Sequence, residues 1–382
     1  MKVLLNSSTL VMGGSIQVTV SFVREILRST RGHDWVLALS KNVYEELEAF
    51  DPDWSTVQIF VIDPSPSKNP FSRKRLKALE RKVQPDVVFT IFGPSYVNFN
   101  SIHVCGVGDG WVTHSNRLAF ANLGGLIPVV LMIGVIAYKS LWFRKADHWV
   151  TEAENARDGL IRRLHLPEGQ IDVVPNNCGT HYIDVVASQR FPQVGETVRL
   201  LCLSSYYKHK NLEIIPEVAR EIQRLSPGLD FEFVLTLPPD GDDWKRISEK
   251  SRALDVEQHI VNEGPVPILN GPALYASCHI VFLPSLLETF SANYPEAMAS
   301  CRPIVTTDLD FSHSICRDAA QYYEALNATS AAEAVLGLIS SENRWDELTE
   351  AGQKRLQEFP NSRERADRYV AILEKVLETG QS

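Results

Sequence analysis

The sequence lacks the marks of several protein classes before it displays any of its own. Its six cysteines (Cys105, Cys178, Cys202, Cys278, Cys301 and Cys316) stand apart, with no C-x-x-C pair and no short Cys/His spacing of the kind a zinc site uses. They read as reduced, mostly buried thiols. No internal repeat and no low-complexity tract stands out, and 44% apolar with 22% charged residues is globular composition. Positive charge is not in excess: 38 Lys and Arg face 47 Asp and Glu, for a net charge of -9. A nucleic-acid partner is therefore not expected, because that affinity rests on clustered basic side chains. Any anion this chain binds must be captured locally. The chain opens on Lys2-Val3-Leu4-Leu5, an apolar strand without the longer hydrophobic region and small-residue cleavage site of a signal peptide, so the expected location is cytoplasmic.

Long hydrophobic runs are also scarce, with one exception. Residues 123–138 (LGGLIPVVLMIGVIAY) carry no charge and are followed by Lys139, Arg144 and Lys145. With Pro128 inside it, the run is short against the roughly 20 residues a membrane span needs. It reads first as a buried helix of a large domain. The second reading is an apolar surface at the membrane interface or against a lipid-linked acceptor, with 123–145 as a peripheral contact and its basic residues on anionic headgroups.

What is present is a length and a rhythm. A chain of 382 residues exceeds what one hydrophobic core organises, which favours two domains. Short β-branched runs at 3–6, 35–40, 57–62, 86–90, 102–107, 148–151 and 171–174 alternate with helical patterns, and the series restarts at 199–203, 231–236, 259–261, 279–283 and 303–306. Strands alternating with helices imply βαβ units and parallel sheets. The predicted architecture is thus α/β, with two Rossmann-like domains at 1–188 and 189–360. Apolar positions Ala366, Tyr369, Val370, Ile372, Leu373 and Leu377 then predict an amphipathic closing helix in 361–382.

The most specific segment is residues 279–308, HIVFLPSLLETFSANYPEAMASCRPIVTTD. A buried strand breaks at Pro284, a loop carries Glu288, and a helix begins near Pro295, which puts Glu296 in its first turn. Two carboxylates on one strand-loop-helix connector can accept hydrogen bonds from sugar hydroxyls. The N–H groups of Thr289, Phe290 and Ser291 can face a phosphate. Taken singly, Glu296 reads sooner as an acid favouring the helix dipole and Glu288 as a solvated loop residue. A second signal is LLCLSSYYKHKNL at 200–212, where Lys208 and Lys210 precede a helix and can neutralise a leaving diphosphate. A third is Met12-Gly13-Gly14-Ser15 after the first strand, where Gly14 would let backbone approach a ligand.

Together these segments resemble the retaining glycosyltransferases of family 4, whose hallmark is a Glu-x7-Glu motif of the form P-S-x-x-E-x-F-x followed by E-A-M-A. The resemblance implies the GT-B fold, two Rossmann-like domains facing a cleft, the closing helix crossing back onto the first. It implies an acceptor in the first domain, a nucleotide-sugar donor in the second, and a glycan or lipid-linked saccharide as acceptor. Glu296 would hold the ribose, Glu288 would lie against the transferred sugar, and Lys210 would hold the diphosphate. The family's arginine position falls on Ser205, so Lys208 would substitute for it. The usual Gly-Phe-Gly after the first glutamate reads Thr289-Phe290-Ser291 here, adding Cβ atoms at the donor.

Relatives place a His-Asp pair after a strand of the first domain. In Gly106-Val107-Gly108-Asp109-Gly110-Trp111 the histidine position holds Gly108, leaving Asp109 and then His114 as the catalytic groups of that domain. No cofactor and no metal is expected: the D-x-D at Asp308 and Asp310 sits wrongly for a diphosphate-bound cation, and lysines would make one redundant. The H-K-N context leans to GDP-mannose, otherwise a UDP-sugar. A non-catalytic relative that binds a nucleotide or glycan is the alternative, and a sugar-nucleotide epimerase or phosphorylase a third reading.

Overall fold

The computed structural model describes residues 1–179, 182 and 191–380. It divides into two compact units: Met1–His114 with Val130–Asn176 and Pro360–Ser382, and Ser115–Val129 with Asn177–Phe359. A domain junction at 188–189 falls outside the described residues. Segment 115–129, which the sequence reading leaves inside the first domain, clusters with the second unit.

The first unit is built on seven parallel strands: β1 (Lys2–Ser7), β2 (Asp34–Leu39), β3 (Gln58–Val61), β4 (Val87–Thr90), β5 (Ile102–Val107), β6 (His148–Thr151) and β7 (Ile171–Val173). Their order is β3-β2-β1-β4-β5-β6-β7. Val, Ile and Leu dominate the central strands because helices cover both faces of a parallel sheet, leaving no side for water. Phe22, from the helix Gly14–Arg28, meets Trp35, Phe89 and Tyr369 edge-on at 5.8, 5.8 and 5.5 Å. Tyr369 belongs to the final helix Ser362–Gly380, whose Ala366, Val370 and Leu373 are buried in this same core.

The second unit repeats the plan with six parallel strands: β8 (Val198–Cys202), β9 (Phe231–Leu235), β10 (Ile260–Asn262), β11 (Ile280–Leu283), β12 (Ile304–Thr307) and β13 (Ala320–Tyr323). Their order is β10-β9-β8-β11-β12-β13. Each sheet reverses its strand order once, between β1 and β4 and between β8 and β11. In open α/β sheets such a reversal opens a crevice beyond the carboxyl ends of the strands, where ligands bind. β13 is the strand the sequence reading missed.

One expectation is overturned. The apolar run is neither buried nor broken: Leu126–Phe143 is one continuous helix, and Phe143 is its one fully buried residue. Pro128 sits in its first turn, where the missing N–H costs nothing.

Candidate functional site

The reversal in the second sheet puts two loops side by side, one leaving β8 and one leaving β11. After β8, residues 208–210 form a single 3-10 turn, and Asn211 adopts a left-handed conformation (φ 55°) that redirects the chain into the helix Ile215–Leu225. After β11, Pro284 ends the strand, and the helix Asn293–Ala299 follows the loop. The loops are sewn together by backbone, since the Leu286 N–H donates to the His209 carbonyl at 2.7 Å. Asn293 Nδ2 adds a bond to the Leu203 carbonyl at 2.6 Å. A small pocket between them is lined by Ser204, Lys210, Ser285 and Asn293.

Lys210 and Glu288 meet here as an ion pair, with side chains only 17% and 10% exposed. Ser285 Oγ donates to Glu288 Oε1 at 2.9 Å. Burial pushes the Glu288 carboxyl up, but Lys210, His209 and Ser285 outweigh it and hold it below the usual carboxylate range. Glu288 is therefore an anion at neutral pH, and the sequence reading of a solvated loop residue does not describe it.

Glu296 lies in the first turn of its helix and has a different setting. Tyr275 Oη donates to Glu296 Oε2 at 2.9 Å, and Tyr182 adds a second hydrogen bond. Burial raises the carboxyl to about 7, with the two tyrosines partly offsetting it. Tyr182 in turn needs Gly271, because a Cβ at that position would stand 2.1 Å from the tyrosine oxygen.

The other donor-side residues divide by how they are held. Thr289 and Ser291 are buried, at 5% and 7% exposure, and the Thr289 hydroxyl has no hydrogen-bond partner among the described residues. Ser291 Oγ donates to Asn293 Oδ1 at 3.0 Å. Phe290 packs its ring edge-on to Phe359 at 5.5 Å, so any part it plays for a ligand falls to its N–H. Lys208 is not joined to Glu288: its ammonium pairs with Glu213 at 2.6 Å, drawn there by an acid only five residues on in the chain.

In the first unit, Gly13 carries the left-handed backbone (φ 84°) that ends the β1 loop, whereas a Cβ at Gly14 would meet nothing within 4 Å. The positional demand for glycine is thus at Gly13, and Gly14 opens the helix Gly14–Arg28 as a residue without a side-chain cap before it. Asp109 accepts from the Trp111 N–H at 3.1 Å and pairs with Lys139 at 2.6 Å. His114 Nδ1 meets Thr113 Oγ1 at 2.7 Å. Gly108, standing where relatives have histidine, is closed to any side chain, since a Cβ there would lie 2.8 Å from the Phe92 ring. His103 is a core residue bonded to Thr90 Oγ1 at 2.9 Å, and burial lowers its pKa to about 3. Asp308 pairs with His313 at 2.6 Å, and among the described residues no three His, Cys, Asp or Glu gather as a metal site would require.

The sequence reading missed Asn116 and Asn122. Both lie in segment 115–129 and brace the two loops from outside: Asn116 Nδ2 donates to the Leu286 carbonyl at 2.7 Å, and Asn122 Nδ2 donates to the Lys208 carbonyl. Partners 170 and 86 residues away leave no local signal.

These two parallel sheets with flanking helices define the GT-B fold, as comparison with solved structures shows. A glycosyltransferase from Rickettsia africae superposes with a TM-score of 0.72 at 16% identity, covering 98% of each chain. Sucrose-phosphate synthase from Thermosynechococcus elongatus gives 0.72 at 14% identity over 99% of each. HepE from Anabaena, in complex with UDP and glucose, gives 0.68 at 13% identity over 100% of this chain and 99% of its own. At the level of sequence, residues 188–355 match the family described as Glycosyl transferases group 1, which supports a glycosyltransferase. Among curated proteins none matches the chain.

Proposed function

We propose that this protein is a retaining glycosyltransferase of family 4 that moves a hexose from a nucleotide-sugar donor to a glycan or lipid-linked saccharide in polysaccharide or cell-envelope synthesis. The observation that carries the reading is the Lys210–Glu288 pair at the strand-order reversal of the second sheet, with Glu296 on the helix that follows. Glu296 takes the ribose hydroxyls, Glu288 orients the sugar, and Lys210 neutralises charge that grows on the diphosphate as the glycosidic bond breaks. Among the described residues no further carboxylate is assigned as a nucleophile, so the step is a front-face displacement in which the leaving phosphate takes the proton of the acceptor hydroxyl. Asp109 and His114 are the polar groups assigned to the reacting sugar from the first unit. With Lys210 in that role, neither a cofactor nor a metal is required. The site of action is the cytoplasm, at the inner face of the membrane when the acceptor is lipid-linked.

The donor base is the open choice. The H-K-N context favours GDP-mannose, while HepE is described with UDP and glucose, which favours a UDP-sugar. Release of nucleoside diphosphate from a panel of UDP- and GDP-sugars tests the proposal, with turnover of one donor expected. Binding of a donor without turnover under any acceptor would instead mark a non-catalytic binding subunit, a reading that Gly108 in place of a histidine favours. Indifference to the whole panel would overturn both.

A further inference from the structure

The helix Leu126–Phe143 is the largest feature that sugar transfer leaves unexplained. Its mean hydropathy is 2.0 over 18 residues, and Lys139 is its one charged side chain. Val129, Met132 and Ile136, then Lys139, Ser140, Trp142 and Phe143 near its end, are the covered positions of the helix. The remainder faces outward, with Leu126, Ile127 and Leu131 84%, 76% and 66% exposed. A contiguous apolar surface of this kind marks a place where something else binds.

Topology excludes a transmembrane span. β5 and β6 are adjacent parallel partners in one sheet, with Val104 opposite His148, and this helix is the one apolar segment of spanning length between them. A single crossing would put hydrogen-bonded neighbours on opposite sides of a bilayer. The helix can only lie along a surface.

What that surface is follows from the C-terminal end of the helix. Tyr138 and Trp142 cluster with Tyr96 at 5.8 and 6.0 Å, and the Arg73 guanidinium lies 5.2 Å from the Tyr96 ring and 5.6 Å from that of Trp142. Arg73 belongs to the helix Pro70–Val83, which carries six basic side chains against one acid, Glu80. Its Lys74, Arg75, Arg81 and Lys82 are exposed, as are Phe71 at its start and Arg144 and Lys145 just past the apolar helix. In a chain of net charge -9 such a positive stretch is local. Apolar helix, aromatic rings and basic side chains thus follow one another as acyl chains, interfacial layer and headgroups do in a bilayer leaflet.

We propose that this protein docks on anionic bilayers as a monotopic protein, with the helix Leu126–Phe143 lying in the interfacial layer and the helix Pro70–Val83 against the headgroups. The proposal stands independently of which donor, if any, the second unit binds. The test is cosedimentation of the full chain with phosphatidylcholine vesicles, with and without phosphatidylglycerol. Binding is expected with phosphatidylglycerol alone, weakening as salt is raised. Lys74→Ala and Arg75→Ala should each weaken it about fivefold, the value of one basic residue near an anionic surface. Ile127→Glu with Leu131→Glu should abolish it while leaving the thermal midpoint and nucleotide binding unchanged. Three results would overturn the idea: failure to bind either vesicle, retention in the membrane pellet after alkaline carbonate washing, and a vesicle-independent dimer that Leu131→Glu dissociates.

Discussion

Lys210 and Glu288 neutralise one another across two loops that come from different strands, and each is assigned a different part of the donor. The pair fixes both side chains before any ligand is bound, and Lys210, His209 and Ser285 keep Glu288 anionic. Removing Lys210 alone strands a nearly buried carboxylate, which costs more than the pair contributes. Lys210→Met should therefore lower stability by about 3 kcal/mol, and Lys210→Met with Glu288→Gln should recover much of it. In turnover the single variant should lose about a hundredfold or more, the scale of one lost group that stabilises developing charge. Urea unfolding and donor-release assays of the three proteins check both numbers.

Glu296 gives stability a pH dependence. The fold favours the protonated carboxyl, whose pKa rises from the ordinary 4.5 to about 7. The stabilisation is fully present below about 4.5 and is lost as the pH climbs through about 7. Up to about 3 kcal/mol is at stake for a shift of this size. Unfolding measured at pH 5 and pH 8 should differ in the wild type in that direction, and Glu296→Gln should flatten the difference. Equal pH dependence in both proteins would refute the assignment.

Thr289 separates ligand binding from stability. Its buried hydroxyl has no partner among the described residues, so the isosteric Thr289→Val removes a desolvated polar group without opening a cavity. The thermal midpoint should hold or rise, whereas donor affinity should fall about tenfold if the hydroxyl serves the phosphate, as one charge-assisted hydrogen bond would dictate. Calorimetric titration of both proteins gives the comparison.

Gly271 makes Tyr182 possible. Gly271→Ala forces the tyrosine hydroxyl from its place, and overpacking of that kind costs about 1–3 kcal/mol. Because Tyr182 also helps hold Glu296 ionised, the variant should push the Glu296 titration further up, a change that a purely steric defect elsewhere would not cause. Repeating the pH 5 and pH 8 unfolding on this variant reads it.

Much of this was legible in the sequence, for physical reasons that also explain the misses. Twelve of the thirteen described strands contain Val, Ile or Leu and announce themselves; β13, Ala320–Tyr323, reads AQYY and has none of them. Glu288 and Lys210 were nameable from motif context, but their pairing was not, since it depends on the β8–β11 adjacency. Lys208 was nameable in the same way, but its pairing with Glu213 was not, since nothing in the motif marks that acid. The apolar run misled. Hydrophobicity predicts burial only on average, and here it marks a face left open.

The most direct test of the account is calorimetric titration of UDP and GDP into the wild type, Lys210→Met and Glu296→Ala. One nucleotide should bind the wild type with clear preference over the other, and each substitution should weaken it at least tenfold, as loss of a charge-assisted contact requires. Wild-type affinity retained in both variants would contradict a donor site built on these side chains.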